Sequence, residues 1–155
     1  SKKIGEDMIN FYLERKKINA VILRCFNAYG LRQKSNSQYA AVVPKFISNA
    51  KKNGYLKLNN GGNQSRDFVY IEDICKAYYI LNKLKKVGTF NIGSGVTTKI
   101  KDLAKIIIEI IGKGKSMKGK KNKGDANYSC ADIKKIKKIG FGNTIKIKEG
   151  LKKII

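Results

Sequence analysis

The sequence has 155 residues, enough for one ordinary domain with its own core, and its composition excludes several classes of protein. It contains no histidine, so a Ser-His-Asp triad is excluded and the commonest metal ligand is missing. The three cysteines are scattered and odd in number, which predicts neither a disulfide framework nor a zinc site. No apolar run approaches the ~18 residues that span a bilayer, and no signal-peptide pattern is present, so a cytoplasmic protein without membrane association is expected.

The charge is strongly positive, because 34 basic and 11 acidic residues give a net charge of +23. Such a balance is typical of proteins that bind nucleic acid or another polyanion, and a basic binding module is one hypothesis for the function. Specific phosphate and base contacts usually recruit arginine, however, and nearly all of these basic residues are lysine. The lysines are therefore interpreted as solvated surface charge, and nucleic acid is not the expected partner. Arginine occurs only at positions 15, 24, 32 and 66.

The first third of the chain predicts a helix, a buried strand and a second helix. Residues 2–16 carry apolar side chains at helical spacing. Residues 20–23 form a short apolar run suited to a buried parallel strand, and polar side chains follow abruptly at residues 24–30. In open α/β sheets, ligands bind at this carboxyl edge. A second helix is predicted over residues 39–52, with Pro44 in its early part.

Further strands and helices alternate along the rest of the chain. Thr98 is predicted to be the N-cap of an amphipathic helix that ends at Ile111. The Gly/Lys-rich residues 112–124 have little to bury and are predicted to form a mobile loop. The alternation indicates an α/β fold with too few strands for a complete doubly wound sheet. The other predicted elements are strands at 56–58, 66–70 and 90–92, a turn at 59–63, and helices at 71–86, 132–138 and 147–155.

Five segments carry recognisable motifs. They are SKKIGE at residues 1–6, LRCFNAYG at 23–30, YAAVVPKF at 39–46 with NGGNQSRDFVYIEDI at 60–74, FNIGSG at 90–95, and GD at 124–125 followed by ADI at 131–133. Taken together, these segments resemble the extended short-chain dehydrogenase/reductase family, specifically its nucleotide-sugar epimerases and dehydratases. The resemblance covers nearly the whole chain, and the segment with Arg66-Asp67-Phe68 is its most specific part.

The resemblance implies a catalytic and cofactor-binding role for Lys2. In the family, a helix carries Tyr-X-X-X-Lys, often followed by X-X-Gly-Glu. Lys2 matches that lysine, and the tyrosine itself would precede Ser1, outside the sequence. A phenol with a pKa near 10 is a poor base at neutral pH, and a lysine one helical turn away stabilises the phenolate. The same lysine would also hold the nicotinamide ribose of NAD.

The resemblance also implies a binding site for a UDP-sugar. Phe26 would lie against the nicotinamide, and the Asn27 side chain would hydrogen-bond the substrate diphosphate. Arg66 would grip the diphosphate, for which the planar guanidinium fork is well suited. The strand at 57–59 would lie along the uracil and read it largely through backbone groups. The remaining residues with an implied substrate contact are Val42, Lys57, Leu58, Asn59, Phe68 and Asp125.

Two positions depart from the family pattern. Asn122 stands where the family has a second phosphate-binding arginine, with Lys121 and Lys123 beside it. Either a neighbouring lysine supplies this second charge or the contact is lost. Ala41 stands where some epimerases have asparagine. The exact sugar therefore stays open.

The resemblance further implies how the chain is organised and what it does. Residues 1–38, interleaved with 66–90, would be the last part of an NAD-binding Rossmann-type parallel sheet. Residues 39–155 would mainly form a small α/β domain that binds the nucleotide sugar. The implied activity is a reversible 4-epimerisation of a UDP-sugar through a 4-keto sugar, with a 4,6-dehydratase as the alternative. The chain alone is expected to be inactive, and the full enzyme to be a homodimer through helices that include the one bearing Lys2.

Overall fold

The protein is described from a computed structural model, which covers residues 1–36, 40–121 and 124–155. Its helices alternate with short strands, which confirms the predicted α/β class. The helices are α1 (Lys2–Glu14), α2 (Val42–Lys51), α3 (Ile71–Lys83), α4 (Ile100–Ile111), α5 (Lys134–Lys137) and α6 (Ile147–Lys152). The strands are β1 (Val21–Cys25), β2 (Asn27–Tyr29), β3 (Tyr55–Leu58), β4 (Ser65–Tyr70), β5 (Gly88–Ile92), β6 (Thr97–Lys99), β7 (Lys115–Lys118) and β8 (Tyr128–Ser129).

The strands form three small sheets in which parallel pairing dominates. β1 lies parallel to β5, and β3 lies parallel to β7. The third sheet is centred on β4, which runs parallel to β2 and β8 and antiparallel to β6. The connections between parallel partners include helices, as parallel pairing requires. Because β1 and β2 are separated by Phe26 alone, the first sheet passes directly into the central one.

Two apolar clusters form the interior. The first joins α2, α4 and α6 to β2, β3 and β4, and the second joins α3, β5 and α5. The second cluster also includes residues 131–141, so this late segment packs beside α3 and not on the first cluster. The buried members of the first cluster are Tyr29, Val43, Phe46, Ala50, Leu56, Phe68, Tyr70, Leu103, Ala104, Ile107 and Leu151. The predicted division into two domains remains a prediction.

The expectation that Thr98 caps a helix is wrong. Thr98 lies in β6, paired with Arg66 of the antiparallel strand β4. The helix begins two residues later at Ile100, with an extended Lys99 as its N-cap and no side-chain cap. The backbone around Thr98 therefore forms a strand ladder, and this pairing with a remote segment overrides the local capping preference.

The prediction of a mobile loop over residues 112–124 is also wrong for the central part, which forms a strand. Lys115–Lys118 form β7, which pairs with β3 from Tyr55↔Lys115 to Leu58↔Lys118. All four β7 residues are exposed, so the segment has no apolar pattern from which a strand is predicted. Backbone pairing with β3 defines this strand. Asn122 and Lys123, with the expected second phosphate contact, lie outside the described residues, as does Tyr39 at the predicted start of α2.

Helix α1 differs from the others because none of its residues is buried. Its second turn is tied to β1, where the Arg24 guanidinium donates to both Glu6 carboxylate oxygens, with Nε–Oε1 and Nε–Oε2 distances of 2.9 and 3.0 Å. Within the three described ranges, no helix combines the length and the apolar character needed to cross a bilayer.

Candidate functional site

A cleft of about 420 Å³ opens beside β4, between β2, the start of α2 and β3. Apolar side chains form much of its wall, and cations, amides and one carboxylate interrupt them. This combination of an apolar wall and a few convergent polar groups is typical of a small-molecule site. The lining residues are Asn27, Ala28, Ala41, Val42, Val43, Phe46, Lys57, Asn59, Gln64, Arg66, Phe68, Ile100 and Asp125.

The cleft contains seven of the eight residues predicted to contact substrate: Asn27, Val42, Lys57, Asn59, Arg66, Phe68 and Asp125. The eighth, Leu58, is half-buried against the first apolar cluster and does not border the cleft. Residues from five separate stretches of sequence thus meet around one opening. Their contact with substrate stays a prediction, since proximity alone does not establish binding.

Strand β4 forms one wall of the cleft with the alternate side chains of one face. Gln64, directly before the strand, lies two residues before Arg66, and Phe68 follows two residues later; all three line the cleft. Successive side chains of a strand point to opposite faces, so this spacing places the three on one face. Asp67 points to the other side, where its fully buried carboxylate accepts hydrogen bonds from the Ser94 and Gly95 N–H groups at 2.8 and 3.0 Å.

The Arg66 guanidinium is half-buried and held in place by backbone oxygens. Its Nη1 donates to the carbonyl oxygens of Ser65 at 3.0 Å and Ala126 at 2.6 Å. A guanidinium has five N–H donors, and these two bonds use a single nitrogen. Nε and Nη2 therefore stay available, as far as the described residues are concerned, to bind an anion in the cleft.

Asparagine side chains fix two other parts of the wall. Asn27 begins β2, opposite Phe68, and its Nδ2 donates to the Asp67 carbonyl oxygen at 3.2 Å. On the far side, the Asn59 Oδ1 accepts from the Lys120 N–H at 3.1 Å, which joins the turn after β3 to the segment after β7. The two amides are thus oriented by backbone partners and help to set the width of the cleft.

Tyr29, at the end of β2, is unsuited to act as a base. Burial raises the pKa of its phenol well above the ordinary value, and the Asp73 carboxylate adds to the shift. Its ring packs against Tyr70 and Phe68, with centroids 5.3 and 6.5 Å away. The phenol therefore stays protonated at neutral pH, and Tyr29 serves as a packing residue.

Neither Lys2 nor Phe26 lines the cleft. Phe26 follows β1, and its N–H donates to the Ile92 carbonyl oxygen at 2.9 Å. Glu6, in the second turn of α1, contacts Arg24 near the end of β1. Exposed Lys2 begins the helix, about 6 Å along the axis from Glu6.

Phe26 lies at the carboxyl edge of β1, where parallel sheets bind ligands, and this position suits an aromatic residue beside the nicotinamide of NAD. The sequence contains no Gly-X-X-Gly-X-X-Gly loop for the cofactor's pyrophosphate. The residues present therefore match one end of the cofactor, and the roles of Lys2 and Phe26 stay predictions.

Two other hollows lie outside the predicted site. One of about 700 Å³ lies between β1 and α3, and another of about 420 Å³ lies between α2 and the loop after β2. Neither includes a residue for which the sequence predicts a contact with substrate or cofactor. Residues of the cleft that the sequence argument missed include Gln64, Phe46 and Ile100. Strand alternation from Arg66 would have identified Gln64.

Comparison with known proteins identifies the family. The NAD dependent epimerase/dehydratase family matches residues 1–93. A protein of Methanocaldococcus jannaschii that is provisionally named a UDP-glucose 4-epimerase is 36% identical over 156 residues, which cover 100% of this chain and 50% of that protein. The dTDP-D-glucose 4,6-dehydratase of Homo sapiens is 31% identical over 165 residues, which cover 100% of this chain and 46% of that enzyme.

A solved structure shows the same fold. The UDP-N-acetylglucosamine 4-epimerase from Methanobrevibacter ruminantium M1, in complex with UDP-N-acetylmuramic acid, superposes with a TM-score of 0.87 at 34% identity. The match covers 96% of this chain and 48% of that one. The chain thus spans about half the length of the curated relatives it matches. Motifs, fold and relatives agree, and the chain belongs to the NAD dependent epimerase/dehydratase family.

Proposed function

We propose that this chain is the nucleotide-sugar-binding part of a UDP-sugar 4-epimerase. The observation that carries the proposal is the cleft around Arg66, whose guanidinium keeps donors available and whose wall contains seven residues expected to contact substrate. The relatives support it, since a UDP-N-acetylglucosamine 4-epimerase has the same fold at 34% identity.

In this proposal, cationic side chains bind the diphosphate, and apolar and amide side chains contact the rest of the nucleotide sugar. Arg66 holds the diphosphate by charge-assisted hydrogen bonds, and Lys57 is the second cation in the cleft lining. Phe68 and Val42 supply apolar surface, while Asn27 orients the phosphates from β2. Asn122 replaces the family's second arginine in this sequence, and Lys57 offers a second positive charge in the cleft instead.

Lys2 and Phe26 would hold the nicotinamide end of NAD at the carboxyl edge of β1. When bound, NAD would supply the hydride acceptor that reversible oxidation at a sugar carbon requires. Lys2 would keep a neighbouring phenol easier to ionise through its positive charge, and Phe26 would exclude water from one face of the site. The tyrosine of the family motif is absent from the sequence, so the chain alone should show no NAD-dependent turnover of UDP-sugars.

Calorimetric titration of UDP, UDP-glucose and UDP-N-acetylglucosamine tests the proposal. Wild type should bind UDP, and Arg66→Ala should weaken binding about 10- to 100-fold because charge-assisted hydrogen bonds are lost. Arg15→Ala is the matched control, since Arg15 is an exposed arginine directly after α1 and its loss changes the net charge equally. Equal UDP affinity in wild type and Arg66→Ala would overturn the proposal.

A 4,6-dehydratase of the same family is the second candidate, because the human dTDP-D-glucose 4,6-dehydratase is 31% identical across the whole chain. Adding dTDP-glucose to the titration separates the two candidates. Binding of dTDP-glucose at least tenfold tighter than UDP-glucose would favour the dehydratase. Binding of UDP-glucose that is tighter by the same factor would favour the epimerase.

The net charge of +23 keeps a polyanion-binding module as an alternative of another class. Binding to such a partner releases many counterions and weakens steeply with salt. The same titrations at two salt concentrations, with a DNA duplex as a further ligand, test it. Tight, salt-sensitive DNA binding without any UDP binding would replace the epimerase proposal with this alternative.

A further inference from the structure

The hollow of about 420 Å³ between α2 and the loop after β2 has the composition of a second small-molecule site. Buried and half-buried apolar side chains line it along α2, and three exposed cations border it, while none of its described lining residues is a carboxylate. Its volume suits a small organic ligand, and the unbalanced positive charge favours an anion. The residues that matter are Val43, Pro44, Ile47, Arg32, Lys51 and Lys52.

Helix α2 separates this hollow from the substrate cleft. Val43, Ile47 and Lys51 follow one another at intervals of four residues, so they lie along one face of α2, and all three border the hollow. Val42 and Phe46 lie on the adjacent face and border the cleft. Val43 borders both openings. The hollow is therefore a separate opening on the neighbouring face of the same helix.

The loop after β2 places Arg32 at the hollow. Gly30 starts the loop in close contact with α3, since a Cβ there would lie 2.8 Å from the Ile71 Cβ. Gln33 then folds the loop back on β2, because its Nε2 donates to the Ala28 carbonyl oxygen at 3.0 Å. Between these two anchors, Arg32 has a φ of 67°, in the left-handed region that side chains rarely adopt. The backbone thus turns sharply where the guanidinium meets the hollow.

Arg32 differs from the other three arginines of the chain in having no partner. The Arg15 guanidinium lies 3.5 Å from the centroid of an aromatic ring, Arg24 forms an ion pair, and Arg66 donates to two carbonyl oxygens. Arg32 is exposed and makes no hydrogen bond, ion pair or ring contact within the described ranges. Its planar fork therefore keeps all five donors for a ligand, and this geometry matches a phosphate or a carboxylate.

We propose that this hollow binds a small organic anion, a phosphate ester or a carboxylate that carries an apolar body. Arg32 pairs with the anionic group, and Lys52 adds a second positive charge beside it. Val43 and Ile47 cover the apolar body along α2. The site is additional to the proposed UDP-sugar cleft and does not depend on that function.

A titration of wild type with phenyl phosphate, followed through the backbone amides by NMR, tests the site. The amides of Ile47 and Ser48 should shift and saturate, because both residues line the hollow. Arg32→Gln should weaken this binding about tenfold, since it keeps much of the side chain but removes the charged fork. Arg15→Gln is the matched control: it removes an equal charge from an exposed arginine directly after α1, and the affinity should stay unchanged.

Two further ligands test the apolar wall and the nature of the anion. Methyl phosphate has the same charged group with little apolar surface, so it should bind about tenfold more weakly than phenyl phosphate. Equal affinities for the two would mean that a lysine-rich surface attracts ions without a shaped site, and would overturn the proposal. Benzoate distinguishes the two sources of charge: tighter binding than phenyl phosphate assigns a carboxylate ligand, and weaker binding assigns a phosphate ester.

The location of the shifts and the UDP titrations keep this site apart from the cleft. Arg66→Ala should bind phenyl phosphate as wild type does, and Arg32→Gln should bind UDP as wild type does. Phenyl phosphate shifts confined to cleft residues such as Asn27 and Phe68, no saturable shift, or equal weakening by Arg32→Gln and Arg15→Gln would overturn the inference. Weaker UDP binding by Arg32→Gln would mean one shared site and would also overturn it. No UDP binding by wild type would overturn the proposed function alone.

Discussion

At the scale of single residues, Asp67 joins three parts of the structure. Its Oδ1 accepts from the Ser94 N–H and hydroxyl at 2.8 and 2.6 Å, and its Oδ2 accepts from the Gly95 and Ala131 N–H groups at 3.0 and 3.1 Å. Gly93 permits this approach, since a Cβ there would lie 2.6 Å from Oδ2. The carboxylate behind Arg66 thus connects β4 to the glycine turn and to the segment after β8.

Asp67→Ala is expected to lower the free energy of unfolding by about 3 kcal/mol, because the Ser94 hydroxyl and three backbone N–H groups, of which that of Ala131 is buried, lose their acceptor. Asp67→Asn should cost less, since its remaining amide oxygen still accepts. Urea denaturation measures both values. Asp7→Ala is the control: Asp7 is exposed and pairs with Lys3 on α1, so its loss should cost under about 1 kcal/mol. Equal losses for Asp67→Ala and Asp7→Ala would show that the carboxylate does not hold these segments.

Gly150 permits α6 to lie against Tyr29. A Cβ at this position would lie 2.8 Å from the Tyr29 Cζ, and the ring is confined by Tyr70 and Phe68. Gly150→Ala is therefore expected to destabilise the chain by about 1–3 kcal/mol through overpacking. Gly142→Ala, where a Cβ meets nothing within 4 Å, should be neutral or slightly stabilising. Thermal unfolding of the two variants checks the difference, and the same shift in both would refute the packing argument.

At the scale of elements, α1 depends on an ion pair more than on burial. None of its residues is buried, and Glu6 joins it to Arg24 of β1. The hydrogen bonds from Arg24 hold the pKa of the Glu6 carboxyl below its usual value of 4.5, although desolvation opposes them. A carboxyl whose pKa is lowered in the folded state contributes stability above its unfolded pKa. That contribution is lost as the pH falls through the lower, folded value.

Glu6→Gln should therefore raise the hydrogen-exchange rate of α1 amides at neutral pH and leave the α4 amides unchanged. In wild type, the protection factors of α1 should decline as the pH falls below about 4.5, and in Glu6→Gln this step should be absent. Exchange measured by NMR from pH 7 to pH 3 gives both comparisons. Equal α1 protection in the two proteins at pH 7 would contradict the role of the pair.

At the scale of the whole molecule, one face of α1 remains exposed. Ile4 is 64% exposed, Met8 59% and Phe11 49%, and Tyr12 lies beside them. A contiguous apolar face on a helix is typical of an interaction surface. We propose that α1 contributes to a homodimer, in line with the association that the sequence resemblance implies.

Met8→Lys should shift the chain from dimer to monomer, because a lysine ammonium would be placed within an apolar contact. Sedimentation velocity across a concentration series measures the change. Leu84→Lys is the control, since Leu84 is a 46% exposed apolar residue outside α1. A wild type that sediments as a monomer at every concentration would contradict the proposed dimer. If Met8→Lys and Leu84→Lys both convert the dimer to monomer, α1 is not the specific contact surface.

The sequence by itself determined the α/β class, the main helices and strands, and most of the candidate cleft. Strand β4 and helix α3 have local apolar patterns, and the motifs around Arg66 pointed to the residues that now surround one opening. The helices and strands are local in sequence, so spacing and residue type suffice to predict them. The cleft residues were implied by the resemblance of the motifs to the family.

Only the tertiary structure decided features that depend on remote partners. β7 is fully exposed and carries no apolar pattern, so pairing with β3 makes it a strand. Thr98 has the chemistry of a helix cap, yet pairing with Arg66 of β4 places it in β6. The Gln64 side-chain oxygen is buried and has no hydrogen-bond partner among the described residues, which likewise depends on what packs around it. Pairing and burial between distant segments leave no trace in local spacing, because each backbone offers the same donors and acceptors whatever its side chains.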